Sequence, residues 1–226
     1  MEKIILLFLA SVAGVLSQTD MAHKSFIFAK NYSLPVQLLY DGDGPSFQLT
    51  VCLRSCSNLT ESVMLSLISG FQFNFLFLIL GSGPDSNAGL VWVQGQKVDV
   101  YFPTDDKRKQ RNICLSWDFQ NGEMSLWVNG KISERRKYPK LVISYRNPNI
   151  FLGPGQIFLG GKPKLEVGEV TDVHVWDRVL TSQEIVDFHD KKGIAGNVLN
   201  WSALNYKRSD GDFTVGKFKC KVQCHQ

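Results

Sequence analysis

An all-β, antiparallel sandwich carrying one short helix is the fold class this sequence predicts, on three observations. Stretches with a period of two between apolar and polar residues recur along the chain. Asn-Gly dipeptides, which accept positive φ in tight hairpins, follow two of them at Asn121-Gly122 and Asn129-Gly130. A complete helix-start signal occurs at Thr181-Ser-Gln-Glu184, and no strand-to-helix repeat accompanies it.

The elements follow in chain order. Residues 1–17 read as a secretory signal peptide: Lys3 is the positive flank, Ile4 to Ala10 begin the apolar stretch, and Val15-Leu16-Ser17 precedes cleavage before Gln18. That stretch is short and broken by Ser11 and Gly14, so no transmembrane segment is expected. "FQLTVCLRS" puts Phe47, Leu49, Val51 and Leu53 on one face and Gln48, Thr50, Cys52 and Arg54 on the other. "NICLSWDF" opposes Ile113, Leu115 and Trp117 to Asn112, Cys114, Ser116 and Asp118. In both strands the cysteine lies on the more polar face. "EMSLWV" fits a strand between the two Asn-Gly turns, and further strands are expected at Leu90–Phe102, Lys140–Ser144 and Val167–Trp176. The helix starts at the capping box, with Leu180 and Ile185 at the staple positions, and Gly193 closes the segment.

The chain has 226 residues and a formal charge of +4, and losing Glu2 and Lys3 with the leader leaves that balance unchanged. Mild basicity favours anionic surfaces without implying nucleic acid, for which interleaved aromatics are missing from the basic runs. No linker or repeat divides the body, so one domain ending near 206, with a cysteine-containing tail over 207–226, is the expected organisation. In an oxidising compartment the five cysteines, Cys52, Cys56, Cys114, Cys220 and Cys224, leave one to pair between chains, with a small thiol, or not at all. Asn31, Asn58 and Asn200 head glycosylation sequons that suit the same compartment.

Enzymatic and nucleotide chemistry are disfavoured by spacing. A phosphate loop ending at Gly161-Lys162 needs glycine where Gln156 stands, and Pro163 replaces the hydroxyl residue. Glu166, Glu169 and Asp172 include odd spacings, which in a regular strand send neighbours to opposite faces rather than around one glycosidic bond. The four histidines are scattered, and Cys220-x3-Cys224-His225 fits a disulfide tail better than a metal site. The basic runs at 107–111 and 134–140 are solvated loops and hairpin ends or, alternatively, an anion-binding patch for sulfated glycans.

"NICLSWDF", "MSLWVNG", "GEVTDVHVWDRVL" and "NVLNWSALNY" together resemble the pentraxins from about Thr19 to Tyr206. Asn112 and Phe119 depart from the family signature around Cys114, whereas Cys114, Ser116 and Trp117 keep it. The resemblance implies a pentraxin domain over 18–206 with a two-sheet, lectin-like jelly roll and a Cys52–Cys114 disulfide. It also implies a cyclic homo-oligomer, usually a pentamer, and a secreted role in humoral innate recognition. One face of the ring would bind phosphocholine-type ligands through calcium. The other, bearing the helix at Thr181–His189, would meet complement or Fc receptors.

The calcium ligands implied by the resemblance align with Asn74, Phe75, Gly155, Gln156 and Ile157, so most family carboxylates are replaced. Calcium takes about six to eight oxygens, several of them charged. Glu166 is a possible compensating ligand from a shortened loop, but the expectation is that no cofactor binds. Phe71, Phe73, Phe75 and Phe77 share one strand parity at that face, either as core or as a patch for lipidic ligands. Cys56, Cys220 and Cys224 are extra: Cys56 joined to Cys220 or Cys224 would pin the tail and free one thiol to link protomers, or Cys220 and Cys224 pair locally. A structural or carrier pentraxin of mucosa or matrix is the competing function, and a family-typical calcium-dependent binder the third.

Overall fold

The computed structural model describes residues 20–28, 36–42, 47–57, 62–69, 72–80, 88–93, 96–101, 110–138, 149–153, 168–207 and 213–220. The expected leader, the sequons at Asn31 and Asn58, the strand expected at 140–144 and Cys224 lie outside these residues.

The described strands form two antiparallel sheets. One runs, in spatial order, β10 (Lys131–Lys137), β9 (Glu123–Val128), β8 (Gln110–Asp118), β3 (Gln48–Ser57), β12 (Gly168–Trp176), β1 (Lys24–Phe28) and β14 (Phe213–Lys217). The other runs β13 (Asn205–Lys207), β2 (Val36–Leu39), β11 (Asn149–Leu152), β4 (Ser62–Ser69), β5 (Gln72–Leu80), β6 (Ala88–Val93) and β7 (Gln96–Tyr101). The expected single strand at 90–102 is thus a hairpin, β6 against β7.

The alternation in β3 and β8 positions the core. Leu49, Val51 and Leu53 face Ile113, Leu115 and Trp117 in register and meet Leu65, Leu67, Ile150 and Leu152 from the other sheet. Full burial of such side chains contributes about 1.5–3 kcal/mol each. Phe47, expected on this face, is 52% exposed because it precedes the strand. The polar face of the same strands is also buried: Thr50, Cys52, Arg54 and Asn112 lie beneath the helix α1 (Ser182–His189). There Cys52, Cys114, Trp127, Trp176, Leu180, Ile185 and Phe188 form a second, smaller apolar cluster.

Local signals explain the connections. Asn129 (φ 51) and Gly130 (φ 76) make the two-residue turn between Val128 and Lys131. Asn121-Gly122 sits instead in a four-residue turn between the paired Asp118 and Glu123, and only Gly122 takes positive φ. Asp118 Oδ1 accepts from the Gln120 and Asn121 amides, which closes that turn from its first residue.

The capping box forms as expected: Thr181 Oγ1 accepts from the Glu184 amide, and Glu184 accepts from the Thr181 amide. The C-terminus differs from expectation. The helix ends at His189, and Lys191 (φ 60) takes the left-handed position of the cap, two residues before Gly193, which is itself left-handed (φ 78). Its amide donates to Phe188 O and the Lys192 amide donates to Asp187 O, the paired bonds of a Schellman end.

β13, at the end of the expected domain, pairs with β2; within the region expected as a tail, β14 pairs with β1, and Cys56–Cys220 ties the segment after β14 to β3. Of the pairings left open for the extra cysteines, this is the one present. Cys52–Cys114 joins register partners on β3 and β8.

Candidate functional site

Two regions carry the sequence-derived expectations. The first is the strand β5 with the loop after β11. Asn74 and Phe75 lie within β5, while Gly155, Gln156, Ile157 and Glu166 fall outside the described residues. Phe75, Gly155 and Ile157 have no side-chain oxygen, and Asn74 and Gln156 are uncharged, a poor donor set for calcium. Among the described residues no group of three or more His, Cys, Asp or Glu could hold a metal ion. Leu76 and Leu78 stand opposite the buried core residues Leu67 and Leu65, whereas Phe77 stands opposite Ser66. A register shift follows between Leu67 and Ser69, so this pairing fixes the parity of Phe77 and does not extend to Phe73 and Phe75.

The second region is the helix-bearing face, and its organising residue is Arg54. In β3 it belongs to the polar face and is 3% exposed. Its Nε donates to Asp172 Oδ2 at 2.7 Å, one terminal nitrogen donates to Phe188 O, and the other to His189 O at 3.3 Å. The guanidinium also lies over the Phe188 ring, 4.8 Å from its centroid. A cation bonded to the last carbonyls of α1 is matched to the negative end of the helix dipole. Burial lowers the Arg54 pKa, and Asp172 partly opposes that shift.

A bulge in β12 makes this contact possible. Thr171 and His174 oppose Arg54 and Cys52, so two residues of β12, Asp172 and Val173, stand opposite Leu53 alone, with Asp172 (φ 49) in the irregular step. The odd-spacing argument for Glu169 and Asp172 therefore fails here: the bulge turns Asp172 toward Arg54, the register partner of Thr171. Each carboxylate is nonetheless committed. Asp172 pairs with Arg54, and Glu169 accepts from the Ser25 hydroxyl at 3.2 Å and the Lys219 amide at 3.1 Å.

Next to this pair, His174 Nδ1 accepts from the Gly196 amide, and the ring packs near Trp176 and Phe188. Burial lowers its pKa to about 4, so the imidazole is neutral at physiological pH; Asp172 opposes that shift and Arg54 adds to it. At the helix start, bonding to Arg178 and then to the Thr181 amide lowers the Glu184 pKa to about 2. Asn200, the described sequon, is half-buried, and its Oδ1 accepts from the amide and hydroxyl of Ser202. Arg135 and Lys137 of the second basic run, and Lys131 ahead of it, are exposed on the edge strand β10. Sequence reasoning missed Arg54, Asp172 and His174 as a group; the one available signal was an arginine alternating with apolar residues in a strand.

The described residues form a two-sheet, lectin-like jelly roll with a helix pinned to one sheet, the architecture of a binding protein. The Pentaxin family model matches residues 24–215. C-reactive protein of Sus scrofa is 32% identical over 216 residues, covering 92% of this chain and 95% of that one. Mucosal pentraxin of Mus musculus is 30% identical over 227 residues, covering 97% and 99%. The native heptameric SAP-like pentraxin of Limulus polyphemus superposes with a TM-score of 0.73 at 21% identity, over 88% of this chain and 97% of that one. The chain belongs to the pentraxin family, and its class of activity is pentraxin-type binding in innate immunity. The family match continues past residue 206 into β14, in line with the pairing of that strand.

Proposed function

We propose that this chain is a secreted, calcium-independent pentraxin that assembles with itself into a closed ring, five protomers being the expected number, and recognises ligands in humoral innate immunity. The observation that carries the calcium independence is the donor set. Phenylalanine, glycine and isoleucine stand at Phe75, Gly155 and Ile157, and neutral amides at Asn74 and Gln156, so charged oxygens are missing where the ion needs them. Without the ion, a phosphate headgroup has no cation to touch at that face, and the odd-numbered phenylalanines of β5 favour an apolar, lipidic ligand there. Anionic glycans are a second ligand class, supported by the exposed cations of β10. Complement or Fc receptors would meet the helix-bearing face.

Likeness to mucosal pentraxin over nearly the whole chain favours one other reading, a structural or carrier ring of mucosa or matrix. Titration calorimetry of calcium into chelator-treated protein, with and without phosphocholine, tests the main reading. No heat in either titration supports it. Calcium binding linked to phosphocholine would overturn it and assign Glu166 and Asn74 as ligands. Binding of heparin or lipid vesicles by the ring then separates a recognition protein from an inert carrier.

A further inference from the structure

A groove of about 990 Å³ opens where the segment after α1 meets the ends of β1 and β14 and the bulge of β12. Its volume lies in the range of about 300–1,000 Å³ found for small-molecule sites. Among its described lining residues four cations, Lys24, Arg54, Lys191 and Lys217, face one carboxylate, Asp172. That carboxylate is already held by Arg54, so the three lysines are the groove's uncompensated lining charge. The remainder of the lining is largely apolar: Val215 is 37% exposed, Ile194 and Phe218 are half-buried, and Phe188 and Trp201 back them.

Two further features point to an anion. Lys24 and Lys217 are direct register partners on β1 and β14, an arrangement in which like charges repel unless something negative lies between them. The Lys24 ammonium also donates to Asp20 O, a neutral acceptor that leaves its charge in place. Second, His23, Asp172 and Lys191 are three of the five described non-glycine residues with positive φ, and all three line this groove. Such conformations cost free energy and cluster where the surrounding structure holds side chains for use. Lys191 occupies a position that glycine would fill at lower cost, and it carries a charge to the rim there.

We propose that this groove binds a single-chain anionic amphiphile of the fatty-acid type, with the acyl chain along Val215, Phe218 and Ile194 and the carboxylate among Lys24, Lys191 and Lys217. Charge complementarity selects the head, and the apolar strip selects a chain over a free inorganic anion. The site lies on the helix-bearing side and needs no metal, so it is separate from the β5 region and stands whether or not calcium binds there.

The test is equilibrium dialysis of radiolabelled dodecanoate against the intact protein in chelator-containing buffer, below the micellar concentration. The expected result is saturable binding of one dodecanoate per protomer. The charge-reversed variant Lys191→Glu/Lys217→Glu should lose at least about tenfold in affinity, in line with the loss of charged contacts. Val215→Asn, which changes only the strip and adds no charge, should lose a similar factor; both alter exposed residues, and unchanged thermal melting establishes that each has folded. Dodecanol should not compete, and inorganic phosphate should compete only weakly. Equal affinity in the variants would place the ligand elsewhere and overturn the proposal while leaving the β5 reading untouched. Equal competition by phosphate or by dodecanol would reduce the groove to a plain anion site or a plain apolar one, and would overturn it as well.

Discussion

Replacing Arg54 with methionine should detach the helix-bearing face from the sheet without disturbing the core between the sheets. Methionine keeps most of the aliphatic volume beside Phe188 but removes the donors to Asp172, Phe188 O and His189 O. Breaking a buried ion pair typically costs about 3–5 kcal/mol, and an unsatisfied buried carbonyl about 1–3 kcal/mol. Asp172 is 30% exposed and regains water once freed, which limits its own penalty. The expected loss is therefore about 3 kcal/mol, measured as a fall in the urea midpoint at unchanged slope. Asp172→Asn keeps a residue that tolerates positive φ while removing the charge, so Arg54→Met/Asp172→Asn completes a double-mutant cycle. The double variant should be less destabilised than the sum of its parts by about 1–2 kcal/mol, because the two singles remove the same contact. A loss under about 1 kcal/mol for Arg54→Met, or strict additivity in the cycle, would refute the idea that this arginine anchors the helix.

Three other outcomes follow from the same geometry. His174 is neutral in the fold because burial lowers its pKa to about 4, so the unfolded chain takes up a proton first as pH falls. Its contribution is complete above pH about 6.5 and is lost between there and about 4, at up to roughly 1.4 kcal/mol per pH unit, and His174→Gln should flatten that limb of the stability–pH curve. Lys191→Gly should stabilise the end of α1 by about 0.5–1 kcal/mol, raising the melting temperature, since glycine adopts the left-handed conformation without a Cβ penalty. The pair Cys56→Ser/Cys220→Ser removes a cross-link spanning 164 residues and should cost up to about 5 kcal/mol by the chain-entropy model; a melting temperature within a few degrees of the parent would contradict it.

How far the chain could be read before its structure depended on the range of each interaction. The alternation in β3 and β8, the Asn129-Gly130 turn and the Thr181–Glu184 capping box are local patterns, and each directs the chain through contacts a few residues away. Arg54 was visible only as a polar residue on a strand. Its role needs a bulge in β12, a helix docked from 128 or more residues downstream, and a backbone step at Asp172 that defeats simple parity. The groove is less legible still, since it joins segments near residues 22–24, 171–174, 191–202 and 215–218. The polar face of β3 was misleading for the same reason: a strand with one polar face normally meets water, but this one is covered by a helix whose last carbonyls need a donor. Lys191 shows the opposite limit: Gly193 is left-handed as expected, but the bonds that end the helix already close on a lysine two residues earlier.

The placement of β14 bears on how the chain is made. The first described strand, β1, has its hydrogen-bonding partners at 168–176 and 213–217, so it waits unpaired while nearly the whole protein is synthesised. Topologies dominated by such distant pairings fold slowly and expose strand edges in the interval. Cys56 faces the same delay. Its partner is the fourth of the five cysteines to emerge, and until then Cys52 and Cys114 are within reach of its thiol. The yield of correctly oxidised protein should accordingly depend on disulfide isomerisation in the producing cell, and the last fifteen or so residues govern when the sandwich closes.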